Sequence, residues 1–376
     1  MLMRQEDILW AGSAAEKTLD KIERSIDRIG YSYPHVAPNG RWNDQGPRFW
    51  VSGFWAGILW LDWKARKNAK ARELAIRLEE GLDEVLDGFD TIHHDVGFMW
   101  QPTALAHWQD DGNDESRRRW MKAASHLAGR FNINGRFIRA WNDEVQKDCQ
   151  GWAIIDCLMN LPLLYAASKQ LDDPRFRHIA MAHTDTVLEK GRRKDGSYPH
   201  IMSFDPETGE KIGNLGGQGY GPDSAWARGQ SWALYGNAIA YRETGEERYR
   251  DAALQVASFF VSHLNEENVS VWDFRAPEET LYAMDTSATA IASSGLLELA
   301  SLLDEGADKA WCEDSAFRML KGLEKHYAVY DDSVDGVIQK GTVHFPAGKN
   351  INVPIIYGDY YYLEALLKTK GIKGFF

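Results

Sequence analysis

Six stretches of the chain run apolar over most of a helical circumference, and six more polar helical stretches alternate with them. The apolar set begins around Gly53-Phe54-Trp55, Gly97-Phe98-Met99-Trp100, Gly151-Trp152, Gly229-Gln230-Ser231-Trp232, Ser287-Ala288-Thr289 and Gly358-Asp359-Tyr360-Tyr361-Tyr362. A helix apolar on all sides must be covered on all sides, so the amphipathic set reads as an outer ring around an inner one. The pattern predicts an all-α protein, twelve helices in two rings forming a barrel with a wide mouth.

The first outer helix is expected over 6–29, where Ile8, Leu9, Leu19, Ile22, Ile26 and Ile29 recur at helical spacing. Further outer helices are expected near 69–86, 114–131, 174–190, 246–264 and 309–327, with inner partners starting near Ser52, Gly97, Gly151, Ser224, Ser287 and Tyr357. The loop 31–50 is long and aromatic, which favours a functional loop. Connections 135–150, 196–223 and 269–284 have room for short strands and should gather at one end.

No Pro/Ser/Gly-rich linker or charge block divides the 376 residues, so 1–376 is expected to be a single catalytic domain. A net charge of -12 argues against a nucleic-acid partner, and an anionic ligand would need a local cation. The three cysteines, Cys149, Cys157 and Cys312, match neither a disulfide framework nor a metal spacing and suggest buried thiols in a reducing compartment. Residues 1–27 carry charges every few positions, as an amphipathic helix does and a secretory signal does not. No run approaches membrane-spanning length. A cytoplasmic protein, monomeric or weakly dimeric, is the expectation.

Two aspartates stand out. Asp156 is the single acid in the apolar run Gly151-Trp152-Ala153-Ile154-Ile155-Asp156-Cys157-Leu158-Met159-Asn160-Leu161-Pro162, expected about a turn and a half into an inner helix. A carboxyl there must be paired, hydrogen-bonded or protonated, which raises its pKa and suits a proton donor. Asp95, in Thr91-Ile92-His93-His94-Asp95-Val96-Gly97-Phe98, is either an N-cap or a functional acid, and the His-His-Asp run also admits a metal. No second cluster with ligand spacing accompanies it, so neither metal nor cofactor is expected.

The run Gly217-Gln218-Gly219-Tyr220-Gly221-Pro222-Asp223-Ser224-Ala225-Trp226-Ala227-Arg228-Gly229-Gln230-Ser231-Trp232 is expected to fold as a tight loop capped into a helix by Asp223 or Ser224. Arg228, between Trp226 and Trp232, is placed to grip a carboxylate with its fork or to stack for packing alone. Trp42 and Trp141 are the loop tryptophans best placed to stack on a sugar, whereas His200 alone is a weak signal. The stretch 213–221 matches neither phosphate-loop pattern, and no serine nucleophile elbow is present.

Taken in order, Pro34-His35-Val36, Gly53-Phe54-Trp55-Ala56-Gly57, His93-His94-Asp95-Val96-Gly97, Ile155-Asp156-Cys157-Leu158-Met159-Asn160-Leu161-Pro162, Trp226-Ala227-Arg228-Gly229-Gln230, Asp285-Thr286-Ser287-Ala288 and Gly358-Asp359-Tyr360-Tyr361-Tyr362 resemble the unsaturated glucuronyl hydrolases of glycoside hydrolase family 88. The resemblance implies an (α/α)6 barrel of six inner and six outer helices. It implies a glycosidase that takes the 4,5-unsaturated uronic acid from the non-reducing end of lyase-generated oligosaccharides. In that chemistry one aspartate protonates C4 of the enol ether, water adds at C5, and the hemiketal opens.

By motif the acid/base is Asp156 and its partner Asp95, while the binding positions are Trp50, His94, Trp141, His200, Gln218, Trp226, Arg228 and Trp232. Arg228 and Gln218 become the carboxylate- and water-positioning candidates. The chain departs from the family pattern at Gly217, where relatives carry His, and at Val343, where some carry Tyr. Lys349 is a candidate contact for a sulfate or the leaving sugar, or else a solvated surface lysine. The alternatives are an unsaturated rhamnogalacturonyl hydrolase acting on pectin fragments and, more distantly, a sugar epimerase using His94 and His200.

Overall fold

The computed structural model describes residues 5–88, 91–143 and 146–376. In chain order, outer α1 (Gln5–Ile29) leads to inner α2 (Gly53–Arg66), and outer α3 (Ala69–Glu80) is prolonged by the short α4 (Asp83–Asp87). The next inner element is compound: α5 (Val96–Trp100), a π-helical turn over Gln101–Leu105, then α6 (Ala106–Asp111). Outer α7 (Asp114–Gly129) precedes inner α8 (Pro162–Leu171), and outer α9 (Arg175–Gly191) precedes inner α10 (Ala227–Thr244). Outer α11 (Glu247–Ser262), inner α12 (Thr286–Leu302), outer α13 (Ala307–Tyr327) and inner α14 (Ile356–Lys368) complete the series. The inner helices pack side by side until α14 returns to α2, and each outer helix covers its inner neighbours, which makes an (α/α)6 barrel.

Burial follows the two expected patterns. Helix α12 is buried continuously from Thr286 to Leu297, whereas α1 buries only a stripe that includes Ala11, Ala15, Leu19, Ile22 and Ile26. Each such Leu or Ile contributes roughly 1.5–3 kcal/mol on burial. Leu9, counted in that stripe from sequence, instead points outward and is 67% exposed. Gly53 lets α2 approach α5 closely, because a Cβ there would lie 2.2 Å from the Phe98 carbonyl oxygen.

Three local expectations are corrected. The element after Gly151 is not an inner helix: residues Trp152–Ile154 form a strand, and Ile155–Met159 a 3-10 turn, before Pro162 opens α8. The strand forms because it has a partner, Ile201–Phe204, which the apolar run does not announce. Asp223 and Ser224 do not cap α10, whose N-cap is Trp226 with no side-chain capping bond. Asp95 occupies the N-cap of α5, but its side chain makes no capping bond either.

Short strands occupy two of the three expected connections. Strands β1 (Phe131–Asn132) and β2 (Phe137–Ile138) pair antiparallel, as do β3 (Trp152–Ile154), β4 (Ile201–Phe204) and β5 (Lys211–Leu215) in that order. The connection 269–284 contributes isolated bridges, Trp226 to Asp273 and Val271 to Met284. Backbone bonds then link loop to loop around the starts of the inner helices: His94 to Ala140, Ala140 to Trp152, Ile155 to His200, Ala227 to Trp272, Thr286 to Lys340 and Ile356 to His35. This collar frames the mouth.

At the other end the chain folds back so that Phe376 packs on Phe54, Phe98, Tyr360 and Tyr361. Cys149, Cys157 and Cys312 are buried and unpaired. Among the described residues no helix is long and apolar enough to cross a membrane. Residues 1–4 of the N-terminal stretch lie outside the described residues.

Candidate active site

Inside the collar the 3-10 turn carrying Asp156 lies against the start of α5, which carries Asp95. Asn160 joins them: its Nδ2 donates to Asp95 Oδ1 and to the Asp156 carbonyl, both at 3.2 Å, and its Oδ1 accepts the Phe98 N–H at 3.0 Å. Both aspartates are buried. Burial first, and the Asp156 charge second, push the Asp95 carboxyl well above the ordinary carboxylate range, with Asn160 and Arg130 opposing.

Three histidines line the pair. His94 Nε2 and His93 Nδ1 each stand 3.4 Å from an Asp95 oxygen, and burial holds both rings far below their ordinary pKa, His93 at about 3. His200 directly precedes β4; its Nδ1 accepts the Gln218 N–H at 3.0 Å. In the neutral ring that leaves the proton on Nε2, which faces Asp156 Oδ2 at 3.6 Å. Gly217 makes this possible: its φ is +56°, and a Cβ would lie 2.0 Å from His200 Nδ1. The departure from the family pattern at 217 therefore has a physical cause.

Arg228 is 2% exposed and its fork is occupied. It pairs with Asp285, donates to the Thr342 and Val343 carbonyls at 2.8 Å each and to Gln218 Oε1 at 2.9 Å, and lies over the Trp226 and Tyr357 rings. A free bidentate grip on a substrate carboxylate is corrected by these contacts. The guanidinium instead binds three loops together, holding Gln218 by its amide oxygen. Removing one partner of such a buried pair costs about 3–5 kcal/mol.

The tryptophans divide. Trp50 is half-buried among Phe98 and Tyr357, each 5.2 Å away between ring centres. Trp226 is buried against His200 at 4.4 Å, and Trp141 is half-buried beside Trp152 at 6.0 Å. Trp42 is half-buried, with its N–H on Asp335. Trp232 is fully buried between Phe98 and Tyr361 within the barrel. Lys349 is exposed on the hairpin that bridges His344 to Lys349, away from the dyad in sequence but on the strip that Arg228 anchors.

Several buried polar atoms here have no partner: Asp156 Oδ2, His94 Nδ1, His200 Nε2, His35 Nε2 and the Tyr357 hydroxyl. Burying such atoms unpaired is costly, so their convergence marks a place for a polar ligand. His35 and Tyr357 were not among the residues singled out from sequence. His35 packs on Phe49 and Tyr357, and burial followed by the Arg228 charge lowers its pKa to about 4. The only sequence signal for His35 was its place in the Pro34-His35-Val36 motif, and Tyr357 entered only as the start of the last inner helix.

His93, His94 and Asp95 also place three ligand atoms within 4.8 Å of one another. They come from consecutive residues and offer a cation one wall, while Asn160 already occupies an Asp95 oxygen. The arrangement serves proton transfer with neutral imidazoles better than it serves a metal cage.

The comparisons agree with this geometry. Residues 17–374 match the model of Glycosyl Hydrolase Family 88. The chain is 36% identical over 359 residues to an unsaturated glucuronyl hydrolase of Bacillus sp. (strain GL1), covering 94% of this chain and 95% of the relative. It is 34% identical to an unsaturated chondroitin disaccharide hydrolase of Streptococcus pneumoniae, covering 98% and 93%. The crystal structure of the Bacillus sp. GL1 unsaturated glucuronyl hydrolase, responsible for the degradation of glycosaminoglycan, superposes with a TM-score of 0.93 at 35% identity, covering 97% of this chain and 98% of that one. With the same barrel, and the family pattern running through nearly all of its length, the chain belongs to glycosyl hydrolase family 88 and is an enzyme of that family.

Proposed function

We propose that this enzyme releases the 4,5-unsaturated uronic acid from the non-reducing end of lyase-generated oligosaccharides by hydrating the C4=C5 enol ether. The observation that carries the proposal is the set of unpartnered polar atoms around Asp156, beside an Asp95 carboxyl that burial holds above the carboxylate range. A hydroxylated, anionic ring offers these atoms their missing partners.

Asp156 gives its proton to C4, and the ring oxygen stabilises the positive charge that develops at C5. Water adds at C5 and returns a proton to Asp156, so the net change is addition of one water. The hemiketal at C5 then opens, the C1 hemiacetal it leaves collapses, and the leaving sugar departs. Asp95 binds ring hydroxyls. His200 orients Asp156, and His94 completes the hydroxyl contacts.

Gln218 directs its amide nitrogen to the carboxylate or the water, with Arg228 holding it and supplying positive field. Trp50, Trp141 and Trp226 form ring-stacking walls, Trp232 supports them from within the barrel, and Lys349 meets a sulfate or the leaving sugar. No metal or cofactor enters these steps. One catalytic domain, monomeric or weakly dimeric, carries the reaction. The three unpaired thiols support a reducing, cytoplasmic setting, which cell fractionation tests.

The test is loss of the ultraviolet absorbance of the conjugated double bond on a panel of unsaturated disaccharides, wild type beside Asp156→Asn. Loss with wild type alone is expected. Loss only on rhamnogalacturonan fragments would move the substrate to pectin, and activity surviving in Asp156→Asn would refute the assigned proton donor.

A further inference from the structure

We propose that Arg130 is a positioning residue of this site, fixing the Trp141 segment and the His94-Asp95 turn in one frame and placing a cation on the Asp95 side of the acid pair. The inference rests on the reading of Asp95 and Asp156 given above.

Arg130 caps the end of α7 and is partly buried. Its Nε donates to the Arg139 carbonyl at 2.9 Å, one terminal nitrogen to Asn142 Oδ1 at 2.8 Å and the other to the Ala140 carbonyl at 2.9 Å. Those acceptors flank Trp141 on both sides. Two of them reach onward. The Ala140 carbonyl also accepts the His94 N–H at 3.1 Å, and Asn142 Nδ2 donates to the Ile92 carbonyl at 3.0 Å. One guanidinium thus ties a stacking tryptophan to the turn that bears Asp95. A planar fork with several donors does this; an ammonium point charge does not.

The charge matters separately. All three of these acceptors are neutral, and among the described residues no carboxylate is within ion-pairing distance of Arg130. Burial, followed by the Arg139 charge, lowers its pKa to about 10, which leaves it cationic at neutral pH; Cys157, Cys149 and Asp95 act in the opposite sense. Asp95 faces Asp156, Asn160, His93, His94, Cys157 and Arg130, while Asp156 faces His200, Arg228 and Tyr357. His126 acts on His93 in the same sense as Arg130, lowering its pKa. Of the two cations, Arg228 is already compensated by Asp285. With Arg228 so engaged, Arg130 is the cation that favours ionised Asp95, and it also disfavours protonation of His93 and His94.

Arg130→Lys and Arg130→Met separate the two effects. On an unsaturated disaccharide that wild type cleaves, Arg130→Lys should keep the pH profile and raise KM about fivefold to tenfold, because charge stays and geometry loosens. Arg130→Met should in addition move the acid limb of kcat/KM to higher pH by about one unit. Unchanged KM in Arg130→Lys overturns the positioning role, even if Arg130→Met does not fold. Carboxyl titration by carbon-13 NMR needs no substrate: Asp95 should titrate at higher pH in Arg130→Met, and an unmoved titration overturns the electrostatic role. Inactivity of wild type on every unsaturated substrate would instead count against the proposed function, with the NMR comparison still deciding for Arg130.

Discussion

At the base of the barrel the Glu364 carboxylate is fully buried and accepts hydrogen bonds from Tyr235 at 3.0 Å, Tyr360 at 2.9 Å and Ser294, with Lys368 3.9 Å away. Lys368 and Arg242 in turn pair with Glu298. At the mouth Asp156 Oδ2, His94 Nδ1, His200 Nε2 and the Tyr357 hydroxyl are just as hidden, yet make no hydrogen bond within the protein. Both ends are buried polar clusters, the base one on inner helices and the mouth one mainly on the turns and loops that lead into them. Where every group is satisfied, the cluster locks helices together; where several are not, the fold has left them for a ligand.

The largest expected effect lies at the mouth. Asp156→Asn should lower kcat by about 10²–10⁴-fold with little change in melting temperature, measured by absorbance loss and calorimetry. A matching drop in Tm would erase the contrast between the two ends. At the base, Glu364→Ala should destabilise by about 3–5 kcal/mol, since it takes the acceptor from the Tyr235, Tyr360 and Ser294 hydroxyls, while the folded fraction retains its kcat. Denaturant titration beside activity per folded molecule checks this.

Gly217→Ala probes the mouth without touching an acid. The added methyl collides with His200 at a positive φ, and kcat/KM should fall about 10–100-fold. A wild-type rate would mean that His200 does not orient Asp156. Asp95→Asn should reveal strain of the opposite sign to Glu364→Ala. A carboxyl whose folded pKa is raised contributes stability below its unfolded value of about 3.9 and loses it as pH rises through the folded value. The variant should therefore melt higher than wild type by at least ~1 kcal/mol near pH 8, and the gap should close toward about pH 4. The smallest effect is at the rim, where Lys349→Ala should change the rate ratio of sulfated to unsulfated disaccharides about twofold to fivefold. An unchanged ratio would make Lys349 a solvated surface residue.

Much of this contrast was legible before folding. Continuous apolar runs against striped ones separated inner from outer helices, and glycine-aromatic starts marked where the inner helices begin. Asp156 drew notice because an acid in an apolar run must be accounted for. The segment after Gly151 misled because a short buried run has the same composition in a strand, a 3-10 turn or a helix, and the strand Ile201–Phe204 that settles the matter is distant in sequence. His35 and Tyr357 escaped notice because nothing local distinguishes a core aromatic from one whose polar atom is left unpaired.

The sequence by itself determined the helical alternation and the residue types at the mouth, because both follow from side-chain periodicity over a few turns. Only the tertiary structure decided which of those residues are free to act. Arg228 is occupied because loop carbonyls 114 and 115 residues away close over it, and His200 faces Asp156 because Gly217 leaves room for its ring. Hydrogen-bond satisfaction depends on where distant loops come to rest, and that is a property of the closed collar, not of any one stretch of chain.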